Sequence, residues 1–131
     1  MAWEVELTPD AQEWYRSLDL RSAQRFAGAL DRLRDRGPGL GRPFADGIKG
    51  SRHNNMKELR AGNMRALFAF DPRRHAVVLM AGDKTNDWRG WYQRNIPVAD
   101  RAYDKHLRSI GGGGKGWQGR GAGVKSAASE R

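Results

Sequence analysis

Two arginines raise the first chemical question. Lys57-Glu58-Leu59-Arg60-Ala61 and Met64-Arg65-Ala66-Leu67-Phe68-Ala69-Phe70 flank Gly62-Asn63, a two-residue hairpin signal. With that turn, Ala61 opposes Met64 and Arg60 opposes Arg65, so two guanidinium groups share one face of the sheet. Like charges directly opposed destabilise a strand pair. Glu58, two residues back on the same face, can offset them, and so can an anionic ligand such as phosphate held by the paired forks. A solvated face on which both side chains splay apart is the alternative. Lys57 lies on the other pleat and reaches this face only through a bulge or a frayed strand start. Lys84 closes the third strand, in Ala81-Gly82-Asp83-Lys84-Thr85. Beyond it Trp88, Arg89, Trp91, Tyr92 and Arg94 interleave, the mixture from which base stacking and phosphate contact are built. An aromatic residue in a loop also serves simply to cover a core edge.

Histidine adds little. His53, His75 and His106 are far apart, with no H-E-x-x-H or paired-carboxylate spacing, so no metal ligand set and no cofactor is expected. His75 reads as a turn residue and His106 as a helix-flank residue. His53 stays a candidate because it sits in a loop, residues 38 to 54, that has no clear period. A loop of that length in a compact domain is functional or misassigned. Lys49, Arg52 and His53 within it are candidate nucleic-acid contacts, with Trp88, Arg89 and Trp91 beyond Lys84. Gly114-Lys115 is no phosphate loop, because Gly116 stands where Ser or Thr should follow and Ser109 where a glycine is required.

These residues need elements to hold them. Trp3, Val5 and Leu7 alternate with Glu4, Glu6 and Thr8, which predicts a strand. Thr8 can cap and Pro9 can start a helix whose stripe is Ala11, Trp14, Tyr15 and Leu18. A second helix runs from about Leu20 to Arg36 and stops at Gly37-Pro38. Three strands follow, over 56 to 61, 64 to 71 and 75 to 82, as an antiparallel meander. Pro97 is expected to open a last helix. The order is β-α-α-β-β-β-α, an α+β domain with helices on one face of a small antiparallel sheet.

Length and charge bound the rest. The 131 residues make one domain, large enough to build a core without disulfide or metal staples. Cysteine is absent, which excludes a disulfide framework and a thiol nucleophile. The longest apolar run, Ala76 to Ala81, is too short to span a membrane. Acidic residues in Met-Ala-Trp-Glu-Val-Glu-Leu argue against a signal peptide, so a cytoplasmic protein is expected. With 24 Lys+Arg against 15 Asp+Glu the formal charge is +9, which points to nucleic acid. Residues 111 to 131 hold 8 of the 17 glycines, four bases and one acid. They are expected to be a disordered basic tail, an arm that adds nonspecific attraction to RNA, beside a folded domain over residues 1 to 110.

K-E-L-R (57 to 60), M-R-A-L-F-A-F-D (64 to 71), A-V-V-L-M-A-G-D-K-T (76 to 85), W-Y (91 to 92) and I-P-x-A-D (96 to 100) together resemble the RelE/ParE superfamily of toxins. The likeness is strongest to its HigB-like, phage-associated branch and covers about residues 3 to 110. It implies a RelE-like fold and a toxin of a type II toxin–antitoxin system. Such a toxin is a ribosome-dependent endoribonuclease, held inactive by a cognate antitoxin, often of the helix-turn-helix type. In such enzymes the RNA 2′-hydroxyl attacks the adjacent phosphate without a metal. Arg65 matches the family's phosphate-contacting arginine, Lys84 the basic residue near the leaving group, and Tyr92 a C-terminal aromatic that stacks on a base. Arg60 joins them. RelE has a lysine where this chain has Glu58, so Glu58, His53 and Lys57 are all open as the general base. A ParE-like inhibitor of DNA gyrase and a non-catalytic nucleic-acid-binding module are the alternative readings.

Overall fold

The computed structural model describes residues 2–111; the glycine-rich stretch from 112 onward, and with it the tail expectation, lies outside the described residues. The elements run β1 (Val5–Leu7), α1 (Pro9–Arg16), α2 (Leu20–Arg36), a 3-10 turn at Gly37–Gly39, β2 (Ala45–Gly47), β3 (Lys57–Ala61), β4 (Met64–Phe70), β5 (Ala76–Asp83) and α3 (Trp88–Gly111). Thr8 caps α1 as its residue type predicts, its Oγ1 accepting from the Ala11 N–H at 3.2 Å, with Pro9 in the first turn. Gly37 ends α2 at φ 57°, and a Cβ there would meet the Trp3 ring at 2.4 Å, so the stop and the packing of the N-terminal segment require the same glycine.

The five strands form one sheet in the order β1-β5-β4-β3-β2. The β3-β4-β5 meander is antiparallel, with Arg60 paired to Arg65 and Ala61 to Met64 across Gly62-Asn63. Gly62 takes φ 61°, as the first central position of a hairpin turn demands. The α+β class and meander stand, while four details differ from the sequence reading. β1 pairs parallel with β5, so the sheet is mixed. Residues 45–47, inside the unpatterned loop, add an edge strand against β3. The last helix begins at Trp88, so Pro97 lies inside it; the Asp87 carbonyl accepts from the Trp91 N–H at 3.1 Å, starting the helix one turn beyond Lys84. Finally, the helices do not share one face. Ala66, Phe68, Ala76 and Val78 pack with Phe26, Ala29, Leu30 and Leu33 of α2 on one side, whereas Leu67, Ala69, Val77 and Leu79 pack with Trp91, Ile96, Ala99 and Tyr103 of α3 on the other. The mid-strand residues of β4 and β5 are buried on both faces, which is why they read as apolar runs rather than alternation.

β5 carries an irregularity that matters for the site. Phe68 pairs with Val78 but Leu67 pairs with Met80, which leaves Leu79 as an extra residue. Such a bulge shifts the alternation by one. Thr8 secures it: its N–H donates to the Val78 carbonyl at 3.0 Å and its hydroxyl to the Leu79 carbonyl at 2.9 Å.

The other end of the sheet is tied by Asp71, whose side chain is fully buried. It accepts from the Arg73 and His75 backbone N–H groups and from Nε and Nη2 of Arg73, and is hydrogen-bonded to His106 Nε2 of α3 at 2.8 Å. Burial alone would raise its carboxyl, but the His106 and Arg73 hydrogen bonds outweigh it and lower the pKa from 3.8 to about 2. A depressed carboxylate contributes stability that is complete above its unfolded value and is lost as pH falls through the folded one. Asp71 should therefore contribute about 2 kcal/mol at neutral pH, lost between about pH 4 and pH 2. Acid unfolding of wild type and Asp71→Asn, followed by circular dichroism, measures this: the variant should be less stable at pH 7 and converge with wild type near pH 2.

Candidate active site

The face of the sheet under the start of α3 gathers charge. On β3 and β4, Glu58, Arg60, Arg65 and Leu67 point the same way by alternation and pairing. On β5 the bulge turns Met80 and Gly82 to this face, opposite Leu67 and Arg65. Lys84 follows two residues later on the same side, where it is only 2% exposed. Strict alternation from Val77 and Leu79 would have sent it to the other face. Tyr92 comes from the first turns of α3.

Glu58, 5% exposed, is the hub. Its Oε2 accepts from Arg60 Nε at 3.1 Å and Nη2 at 2.8 Å. Its Oε1 accepts from the Tyr92 hydroxyl at 2.6 Å and lies 3.6 Å from Arg65 Nε. Arg65 is 8% exposed and its Nη1 donates to the carbonyls of Gly62 at 2.7 Å and Met64 at 2.9 Å. Its buried Nε has no hydrogen-bond partner. The solvated face offered as the alternative reading is thus excluded for Arg65: α3 and Trp91 close over it. The Lys84 ammonium sits 3.1 Å from the ring centroid of Trp88, a cation–π contact. Burial lowers the Lys84 pKa below its ordinary value and the Arg65 charge lowers it further, against the pull of Glu58. Burial, then the hydrogen bond to Glu58, raises the Tyr92 phenol. The hydrogen bond to Glu58 raises Arg60.

The remaining candidates fall elsewhere. Lys57 pairs with Phe68 on the α1/α2 side of the sheet, and no bulge in β3 redirects it. Trp91 is 4% exposed and packs over Gly82, so it is scaffold rather than a contact surface. His53 pairs with Asp104 at 2.8 Å and stacks edge-on against Tyr103. Asp104 lies twelve residues beyond Tyr92, about 18 Å along α3, which removes His53 from the Glu58 cluster. Arg52 is committed to Asp104 at 2.6 Å. Lys49 and Arg89 are exposed. Trp88 is the exposed aromatic beside it, at 68%. Asp46 of β2, 3.5 Å from Arg60, was missed in the sequence because a three-residue strand carries no readable period.

The family model described as phage-derived protein Gp49-like (DUF891) matches residues 13–104. A candidate toxin of Mycobacterium tuberculosis H37Rv, HigB3, is 46% identical over 112 residues, covering 84% of this chain and 98% of the relative. This chain belongs to the Gp49-like family, among the HigB-like toxins of toxin–antitoxin systems. A second candidate toxin of that organism, HigB2, is 43% identical over 99 residues, 72% of the Gp49-like chain and 49% of the relative. The fold is that of the archaeal RelE–RelB complex from Pyrococcus horikoshii OT3 (TM-score 0.53, 17% identity, 64% of this chain and 97% of that one). It is also that of the Mycobacterium tuberculosis RelBE2 toxin–antitoxin complex (TM-score 0.52, 16% identity, 63% and 99%).

Within the Gp49-like chain one group of described residues has metal-ligand spacing, Glu6, Asp71 and His75, with ligand atoms within 4.8 Å of one another. Arg73 Nη2 already fills it, 2.6 Å from Glu6 and 2.7 Å from Asp71, so the cluster is an ion-pair tie. No described helix is long and apolar enough to cross a membrane.

Gly82 is where the site is least forgiving. A Cβ there would meet Trp91 Nε1 at 2.7 Å, and Trp91 is core. Gly82→Ala should cost about 1–3 kcal/mol through displacement of that indole. Thermal melts should register it together with a shift in tryptophan fluorescence.

Proposed function

We propose that this toxin cleaves messenger RNA on the ribosome and is silenced by a cognate antitoxin, of the helix-turn-helix type. The observation that carries this reading is the buried Arg65 guanidinium, with its unpartnered Nε, standing with Arg60 and Lys84 around Glu58, with Asp46 at the rim beside Arg60. Three cations against two carboxylates leave a surplus of one positive charge that suits a phosphate diester.

The geometry divides the work among a few groups. Glu58 takes the proton of the RNA 2′-hydroxyl, whose oxygen then bonds to the adjacent phosphorus. Arg65 and Arg60 neutralise the extra charge on the pentacoordinate phosphorus. The bond from phosphorus to the 5′-oxygen breaks, and that oxygen takes a proton from Lys84, whose lowered pKa makes it a better acid than an ordinary lysine. The products are a 2′,3′-cyclic phosphate and a 5′-hydroxyl. Tyr92 orients Glu58 through its 2.6 Å hydrogen bond. Base stacking, which the family likeness assigns to Tyr92, suits Trp88, whose ring is exposed next to Lys84.

Expression in a bacterium with mapping of transcript ends tests this reading. Growth arrest with new 5′-hydroxyl ends inside translated messages is the expected result. Arrest with intact messages and inhibition of purified gyrase would replace it with a ParE-like activity, and RNA binding without cleavage even on ribosomes would leave only a binding module.

A further inference from the structure

The long helix α3 presents a second basic feature, on the side away from the reactive face. Arg94, Arg101, Lys105 and Arg108 are spaced by seven, four and three residues and are all exposed. At 100° per residue they fall within about 60° of one another. Tyr103, Ile96 and Ala99, which pack on the sheet, lie on the opposite side. The stripe therefore runs along the outer ridge for about 21 Å, starting two residues beyond Tyr92.

Beyond Arg94 its charge is not cancelled by a salt bridge among the described residues. The two carboxylates of this part of the helix point elsewhere: Asp100 is buried and accepts from Ser51 and from the Arg52 N–H, and Asp104 is held by Arg52 and His53. Arg94 is paired with Asp87. Arg101, Lys105 and Arg108 have no salt bridge among the described residues. The ridge is flanked by Pro97 and a partly exposed Val98, with no larger apolar patch among the described residues. A protein partner needs an apolar centre to its interface; a polyphosphate backbone needs only spaced cations.

We propose that this ridge is a docking track for the phosphate backbone of ribosomal RNA, distinct from the face that handles the message. The inference rests on the ribosome-dependent reading above and adds the surface by which the ribosome is held. A message bound at Arg65 cannot also lie on a ridge that faces the other way, so the partner there is a second RNA.

The test compares the full chain with Arg101→Gln/Lys105→Gln/Arg108→Gln, and with a charge-matched control, Arg16→Gln/Arg21→Gln/Arg36→Gln, whose sites are exposed on α1 and α2. Binding to purified bacterial 70S ribosomes and to naked ribosomal RNA is measured across salt, with melting temperature as the folding check. Each backbone contact adds about 0.7–0.9 to the slope of log affinity against log salt, so loss of three should flatten it by about 2–3. The control should keep the wild-type slope, and the ridge variant should still cut messages when ribosomes saturate it. An unchanged slope in the ridge variant, or an equal drop in the control, overturns the track. So does normal RNA binding with loss of binding to the antitoxin, which would make the ridge a protein contact. Wild type that binds ribosomes but cuts nothing sinks the nuclease reading instead and leaves the track standing.

Discussion

Arg65→Ala should lower message cleavage by about 10²–10³, the usual consequence of removing one donor aimed at charge that develops in the transition state. Ribosome and antitoxin binding should change far less, since an interaction made mainly in the transition state governs rate more than affinity. The residue also has a structural duty, because Nη1 holds the Gly62 and Met64 carbonyls at the hairpin. Charge-assisted hydrogen bonds of this sort contribute about 1–3 kcal/mol, so a lower melting temperature is expected as well. The two effects are separated by assaying cleavage well below the melting temperature, and by Arg65→Lys. The lysine keeps the charge but cannot present a bidentate fork, so it should recover stability better than rate. Full cleavage in folded Arg65→Ala would remove the guanidinium from the reaction.

Glu58 carries the second large effect, and here charge and shape can be pulled apart. Glu58→Ala leaves the buried Arg65 with no counter-charge, the buried Lys84 with Asp83 alone, and Tyr92 without its acceptor. Removing one member of a buried ionic group costs about 3–5 kcal/mol, with the lower figure expected because Arg60 is partly open to solvent. Glu58→Gln keeps an oxygen for Tyr92 and should melt closer to wild type. It has lost the base, however, so cleavage should still fall by about 10²–10⁴. A glutamine variant that cuts at the wild-type rate would assign proton transfer to another group.

Much of the scaffold is legible in the residues themselves. Thr8-Pro9 and Gly37-Pro38 mark helix ends through cap chemistry, and Gly62-Asn63 sets a register in which Arg60 meets Arg65. What stays hidden is set by tertiary context. The parallel pairing of β1 with β5 joins strands about seventy residues apart, and no local pattern encodes it. Pro97 is a strong start signal, yet the helix runs through it because Trp91 and Tyr92, one to two turns earlier, are already fixed on the sheet. Placement of α3 on the second face then converts Arg65 and Glu58 from surface residues into enclosed ones and leaves Arg60 at the rim. Lys84 follows the same logic: its type is conspicuous, but its direction depends on a bulge that apolar spacing in Val77-Val78-Leu79-Met80-Ala81 does not announce. His53 misleads for the converse reason, since nearness in sequence to β3 places it against the far end of α3.

The extra residue at Leu79 makes the site a matter of parity. Between Val77, which faces α3, and Lys84 there are seven steps, an odd number that in a regular strand ends on the wrong side. The bulge turns odd into even. Were Leu79 to pair with Leu67 in an unbroken ladder, Gly82 and Lys84 would rotate away from Arg65 together and Ala81 and Asp83 would take their place. The cluster would exchange an ammonium for a carboxylate without any residue of the cluster having been mutated. Thr8, through its contact with the Leu79 carbonyl, is then the distant keeper of that count. A residue that caps a helix at one end of the chain thereby fixes the sign of the charge presented to the substrate.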